Sequence, residues 1–347
     1  MIVDGYYTYL NKKSSEWLVD WQNKCVSKEM DILTCKKNIR ELILTTDTSV
    51  PIQKNKQAIT LTLDPKVHFT TFTGSPLDMI CGFRYLEKNH DGVTSTLQTE
   101  YYDDPEVDTY AKSLGINTGL EKDLINFEIK WIFQQLFYPP NFDSVVKKII
   151  STAEKKYIII PIGIILSNGN HSNALIYNIA NRQLERFEPH GSRYPSQFNY
   201  NPVLLDELIH AKFNNILQAI GPVGKKITYL TPDSYQPRIG LQTFENTELH
   251  INKNIGDPNG FCTLWCIWYL DYRLTYGTMN PTNLIRKIIK QIRLSGIPFR
   301  DIIRNYSAHI TDFRDAMLRK INKDVNDYLN DRISKSEKEV LIREIMK

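Results

Sequence analysis

Residues 157–166, YIIIPIGIIL, constrain the fold more than any other stretch of the chain. The run is apolar, rich in β-branched side chains and without alternation, which marks a strand covered on both faces. It falls well short of the roughly 20 residues a membrane-spanning helix needs. The turn signal Ser167-Asn168-Gly169-Asn170 leads into a second strand over 171–178 (HSNALIYN). Ala180-Asn181-Arg182 then leads into a third over 183–188 (QLERFE). Connections this short leave no room for a crossover, so the three strands are expected to pair antiparallel.

The chain on either side reads mainly as helix. Apolar residues Leu124, Phe127, Ile129, Trp131, Ile132 and Leu136 follow helical spacing over 123–137, and Pro139-Pro140 stops the pattern. Residues 202–219 read as a helix and 227–230 as a further short strand. Asp257-Pro258-Asn259-Gly260 breaks the chain before 262–274 (CTLWCIWYLDYRL), which is apolar on nearly every side and reads as a central buried helix. Amphipathic helices follow over 282–294 and 301–329. Earlier in the chain, 16–28, carrying Trp17, Leu18 and Trp21, and 30–44 read as helices, 58–63 as a short strand and 89–105 as a loop. The order gives an α+β fold, a mainly antiparallel sheet packed on a central buried helix. Two parts are expected: a mostly helical accessory region over 1–120, and a core with a helical tail over 121–347.

Composition narrows the function classes. The 347 residues carry 43 Lys and Arg against 39 Asp and Glu, a formal charge of +4 mixed along the chain, which does not point to nucleic acid. The helical face of Arg286, Lys287, Lys290 and Arg293 reads as a solvated surface. No segment has the length or hydropathy of a membrane span, and the N-terminus lacks a signal-peptide layout. Five scattered cysteines, an odd number, fit reduced thiols in an intracellular, reducing compartment better than a disulfide framework.

Three residues carry the candidate chemistry. His171 opens one strand, Glu188 closes the next, and Cys262 opens the buried helix. A cysteine at a helix N-terminus is favoured as thiolate by the macrodipole. An imidazole beside it can take the proton, and a carboxylate on the far ring nitrogen fixes the tautomer. Each residue also has a plainer reading: His171 as a satisfied polar group, Glu188 as an ion-pair partner of Arg186 or Arg193, Cys262 as a small core residue like Cys266. His190, in a Glu-Pro-His-Gly turn, is a rival imidazole. Cys262 and Cys266 lack the further ligands of a zinc set, and no phosphate loop is present, so neither metal nor cofactor is expected.

The run IIIPIGIILSNGNHSNALIYNIANRQLERFE resembles the strand–His–strand–acid core of cysteine peptidases that include the adenovirus protease and the SUMO-type ubiquitin-like proteases. DPNGFCTLWCIWYLDYRL is similar to the start of their nucleophile helix. Bacterial effector acetyltransferases share the layout with Glu as the acid. RFEPHG and NGFCTLWCIWYLD also resemble segments of little-characterised proteins of large cytoplasmic DNA viruses. The likeness covers about 157–274. It implies a papain-like core in which Cys262 attacks, His171 moves the proton and Glu188 orients it. Three positions depart from the pattern: Ser172 stands where a Trp is common, Thr263 where a Gly is common, and no Gln lies a few residues before the cysteine. Asn259 is the nearest side chain able to take that Gln's place at the oxyanion. The expected function is a cysteine peptidase or isopeptidase acting on a viral polyprotein or a ubiquitin-like conjugate, in host cytoplasm or virion. An acyltransferase on the same fold and an inactive virion or interaction protein are the alternatives. Oligomeric state is not legible.

Overall fold

The computed structural model describes residues 59–61, 63, 70–98, 105–116, 127–166, 169–193, 200–219, 226–248 and 261–347. The expected helices over 16–28 and 30–44 lie outside the described residues, as do Asn259 and, in the expected strand over 58–63, Ala58 and Thr62. The described part of that last segment, 59–61 and 63, forms no strand.

The long pairing at the centre of the sheet follows the expected register. β4 (Tyr157–Leu166) pairs antiparallel with β5 (Gly169–Asn178) along its whole length, and β5 with β6 (Gln183–Phe187). Outside them the pairing is mixed. β1 (Val93–Ser95) and β2 (Ile129–Ile132) both run parallel to β4, one beyond the other along the same edge, and β3 (Gln135–Phe137) folds back antiparallel on β2. β7 (Thr228–Leu230) runs parallel to β6 at the other side. The expected helix over 123–137 is thus a hairpin in its described part, turning at Phe133 and Gln134, both with positive φ. All four residues of β2 are buried, so alternation is hidden and the apolar spacing mimics a helix. β1 likewise lies within the expected loop over 89–105.

Both faces of the sheet are covered, which is why β4 reads as continuously apolar. Ile158, Ile160, Ile162, Ile164, Leu175 and Tyr177 point to one layer. That layer is built on Phe142 and Val146 of α3 (Phe142–Ile150) and on Leu205, Ile209 and Phe213 of α4 (Pro202–Gln218). Ile159, Ala174, Ile176 and Phe187 point the other way, to α7 (Cys262–Thr275). That helix is the centre of the larger core. It packs against α1 (Pro76–Asn89) and α9 (Phe299–Arg319), and α8 (Pro281–Ser295) adds Leu284, Ile285, Ile288 and Ile292 to the same cluster. Helix α1 falls within the expected accessory region, yet its Leu77, Ile80, Phe83 and Leu86 belong to this core. The remaining helices are α2 (Pro105–Ser113), α5 (Pro232–Tyr235), α6 (Leu241–Thr247), α10 (Val325–Leu329) and α11 (Lys335–Met346). The expected single helix over 301–329 is two. Asn322 takes a positive φ, and Asp324 starts α10 with a reciprocal capping box to Asp327.

Helix α7 is pinned to the sheet near both ends. Arg273, in its last turn, makes buried hydrogen bonds to Glu185 of β6 at 2.7–3.1 Å. At the N-terminal end Ser172 of β5 meets Thr263 and Cys266. The start of the helix is therefore held over the start of β5, where His171 lies.

Candidate active site

Strand alternation sorts the site into two sides. Ser172 lies on the α7 face of β5. His171 and Asn173 lie on the opposite face, in register with Ile164 and Ile162 of β4. Pairing of Ala174 with Phe187 continues so that Glu188, one residue past β6, falls beside Asn173. His171 sits near the open end of its strand, so its ring reaches both the acid on one side and the helix start on the other.

Glu188 is buried and surrounded by donors. Its Oε1 accepts from His171 Nε2 at 2.7 Å and from the His190 main-chain N–H at 3.0 Å. Its Oε2 accepts from Asn173 Nδ2 at 2.8 Å and from the Tyr200 hydroxyl at 2.8 Å. A carboxylate offers about four lone-pair positions, and here all are taken. Burial alone would raise its pKa, but the His171 charge and hydrogen bond, with His190, hold it well below the usual carboxylate range. Glu188 is paired with neither Arg186 nor Arg193. Arg186 instead forks onto Asp206 of α4 at 2.6 and 2.8 Å and holds Asn173 Oδ1 at 2.5 Å, while Tyr229 donates to Asp206 at 2.5 Å. Asn173 thus links the two carboxylates. Gln236 clamps the Glu188 backbone, accepting from its N–H at 3.0 Å and donating to its carbonyl at 3.1 Å.

With Nε2 directed at Glu188, the ring nitrogen left for the thiol is Nδ1. Burial disfavours the imidazolium, but the Glu188 carboxylate and the Cys262 sulfur outweigh it and hold the His171 pKa above its ordinary value. His171 and Ser172 are the polar neighbours that act on Cys262. Burial would raise the thiol, and these two neighbours bring it below the ordinary cysteine value. The residue is half-buried, whereas Cys266, one turn on, is buried and pushed well up. Both shifts run in the direction that favours an imidazolium–thiolate pair, with the histidine held by a saturated carboxylate. His190 has a different part. Its Nδ1 meets Thr243 at 3.1 Å, and burial with the neighbouring His171 charge pushes it down to about 3, so it stays neutral.

The turn carrying His190 is built by two glycines. Gly191 has φ +97, and a Cβ there would lie 2.5 Å from Gly240 N and 2.6 Å from Pro237 O. Gly240 donates to His190 O at 2.7 Å, and Ser192 to Pro237 O at 2.9 Å. We expect Gly191→Ala to destabilise the fold by about 1–3 kcal/mol, read as a lowered melting temperature.

His171 and Glu188 are hydrogen-bonded, Cys262 stands at the start of α7 on the other side of the histidine, and Asn259 is outside the described residues. Among the described residues no group of three potential metal ligands converges. Asn173, Tyr200, Asp206 and Gln236 are not singled out by the sequence as members of the acid's setting, and Arg186 is named there only as a direct ion-pair partner of Glu188. Asn173 and Arg186 were within reach of the argument, since period-two alternation places them on the face of His171 and Glu188.

The site defines a buried acid–histidine pair facing a cysteine at a helix start. No family model matches the chain. It is 47% identical over 348 residues to the putative ankyrin repeat protein L371 of Acanthamoeba polyphaga mimivirus, a match covering 99% of this chain and 46% of that protein. The chain therefore spans about half the length of the curated relative it matches. Among solved structures it is similar to the Chlamydia trachomatis effector Cdu1 bound to ubiquitin, at 11% identity over 72% of this chain and 95% of that one, with a TM-score of 0.34. It is also similar to the SUMO protease Ulp1, at 11% identity over 80% and 94%, with a TM-score of 0.33. A SUMO protease thus stands among the structural neighbours, and a giant-virus protein among the relatives in sequence.

Proposed function

We propose that this chain is a cysteine peptidase or isopeptidase, with a protein acyl group as substrate. The observation that carries the reading is His171, held by Glu188 through one ring nitrogen and within reach of Cys262 on its other side. Cys262 Sγ attacks the carbonyl carbon, the C–N bond breaks, and the His171 proton goes to the leaving amine. Water then hydrolyses the thioester, with His171 as base. Phe261 precedes the helix without a side-chain cap, so the first-turn N–H groups of α7, that of Cys262 among them, are suited to hold the oxyanion. Asn259 is the proposed side-chain donor beside them. A ubiquitin-like conjugate or a viral polyprotein supplies the amide.

The test is labelling by a thiol-directed electrophile across about pH 5–9, alongside hydrolysis of C-terminal amides of ubiquitin-like proteins. We expect Cys262 to label selectively near neutral pH and to lose that preference in His171→Ala. Cys262→Ala is expected to reduce hydrolysis by about 10⁴-fold or more. Labelling of Cys262 no faster than that of Cys25 or Cys35 in the same protein would overturn the reading.

A further inference from the structure

Two of the positions that depart from the peptidase pattern touch one another. Ser172 follows the histidine and Thr263 follows the cysteine. Their hydroxyls lie 2.7 Å apart, both residues buried. Ser172 is also tied to α7 through its carbonyl, which accepts from Cys266 Sγ at 3.4 Å. It therefore sits across the first turn of α7, with Cys262, Thr263 and Cys266 around it. Thr263, in the first turn of α7, points its hydroxyl at the neighbouring strand.

We propose that Ser172 and Thr263 form a donor chain onto the nucleophile, Thr263 donating to the Ser172 hydroxyl and Ser172 to the Cys262 sulfur. Both are positioning residues: neither exchanges a proton with substrate. A sulfur accepting a hydrogen bond is better stabilised as thiolate than as thiol, and a donor already polarised by a second hydroxyl donates more strongly. The lowering of the Cys262 thiol, to which Ser172 contributes, accords with this direction, and the bonds of Ser172 to Thr263 and Cys266 place it beside that residue. The other titratable groups around the sulfur are His171 on β5, Glu188 and His190 beyond β6, and Cys266 on α7. None of them changes when the two hydroxyls are removed. The inference rests on Cys262 being the nucleophile.

The experiment is the pH profile of electrophile labelling at Cys262 in the full chain. Ser172→Ala is expected to move the midpoint up by about one pH unit, a roughly tenfold smaller thiolate fraction below it. Thr263→Val, which keeps the side-chain shape, is expected to move it the same way by less, and Thr263→Ser to restore the unsubstituted profile. The double variant Ser172→Ala/Thr263→Val should match Ser172→Ala alone, because the second link acts only through the first. An unshifted midpoint in Ser172→Ala and Thr263→Val, with His171→Ala still abolishing the labelling preference, overturns the donor chain and leaves the peptidase reading standing. Absence of any His171-dependent labelling in the unsubstituted chain removes both. Should Ser172→Ala fail to fold, the Thr263→Val and Thr263→Ser pair decides: a shift in the first that the second restores supports the chain, and no shift in either overturns it.

Discussion

Glu188→Gln is expected to lower kcat/KM by about 10²–10⁴-fold, and to move the alkaline limb of the pH–rate profile to lower pH. The four groups around the carboxylate all donate: His171 Nε2, the His190 N–H, Asn173 Nδ2 and the Tyr200 hydroxyl. An amide cannot replace an acceptor so placed. If its NH₂ turns towards Asn173 and Tyr200, donor meets donor in a buried site. If it turns towards His171, the ring must accept at Nε2 and carry its proton on Nδ1, where it cannot take one from the thiol. Either orientation damages the pair. Loss of the negative charge also removes the largest of the effects that raise the His171 pKa, leaving that of the Cys262 sulfur, so the imidazolium needed by the leaving amine disappears at lower pH.

Stability follows the same signs. His171 is raised in the folded chain, so its contribution is complete below the unfolded histidine value of about 6.5 and is lost as pH climbs through the higher folded value. Glu188 is depressed, so its contribution is complete above about 4.5 and is lost as pH falls towards its lower folded value. Both are in place between those limits. Glu188→Gln should therefore lower the denaturation midpoint most in that window and less in strong acid. Equal destabilisation at every pH, with an unmoved alkaline limb, would mean that Glu188 acts by packing alone.

What could be read from the sequence divides along physical lines. β4 to β6 were legible because β-branched content and two short connections leave one arrangement, and His171, Glu188 and Cys262 were legible because each stands at the end of an element. Residues 123–137 misled because β2 is covered on both faces: Ile129, Trp131 and Ile132 lose the alternation that distinguishes a strand, and pairing with β4 and β3 decides their conformation. Arg186 misled differently. It is two residues from Glu188 on the same strand face, and opposite charge suggests a pair, but the carboxylate that takes its fork comes from Asp206 on α4. Tyr200 and Gln236 reach the site from outside regular elements, where no periodicity marks them. Those contacts depend on how layers stack, which local patterns do not encode.

The buried Arg186–Asp206 pair carries the largest stability effect we expect. Arg186→Met leaves the Asp206 carboxylate between the sheet and α4 with the Tyr229 hydroxyl as its remaining donor from that network, and it strips Asn173 Oδ1 of its guanidinium. Removing one partner of a buried ion pair costs about 3–5 kcal/mol, because the other charge stays desolvated. The double variant Arg186→Met/Asp206→Leu removes both charges and should regain most of that loss. Equilibrium denaturation of the two variants measures the difference. The catalytic consequence is separate from the stability one. Asn173 connects the Arg186 network to Glu188 Oε2, so in the double variant it keeps its bond to the acid but loses the anchor that fixes its orientation. If that anchor matters to the dyad, the double variant refolds well yet labels Cys262 more slowly near neutral pH than the unsubstituted chain. Recovery of stability together with an unchanged labelling profile would show that the network only holds α4 to the sheet, and that Glu188 is sufficiently oriented by His190, Tyr200 and Asn173 without it.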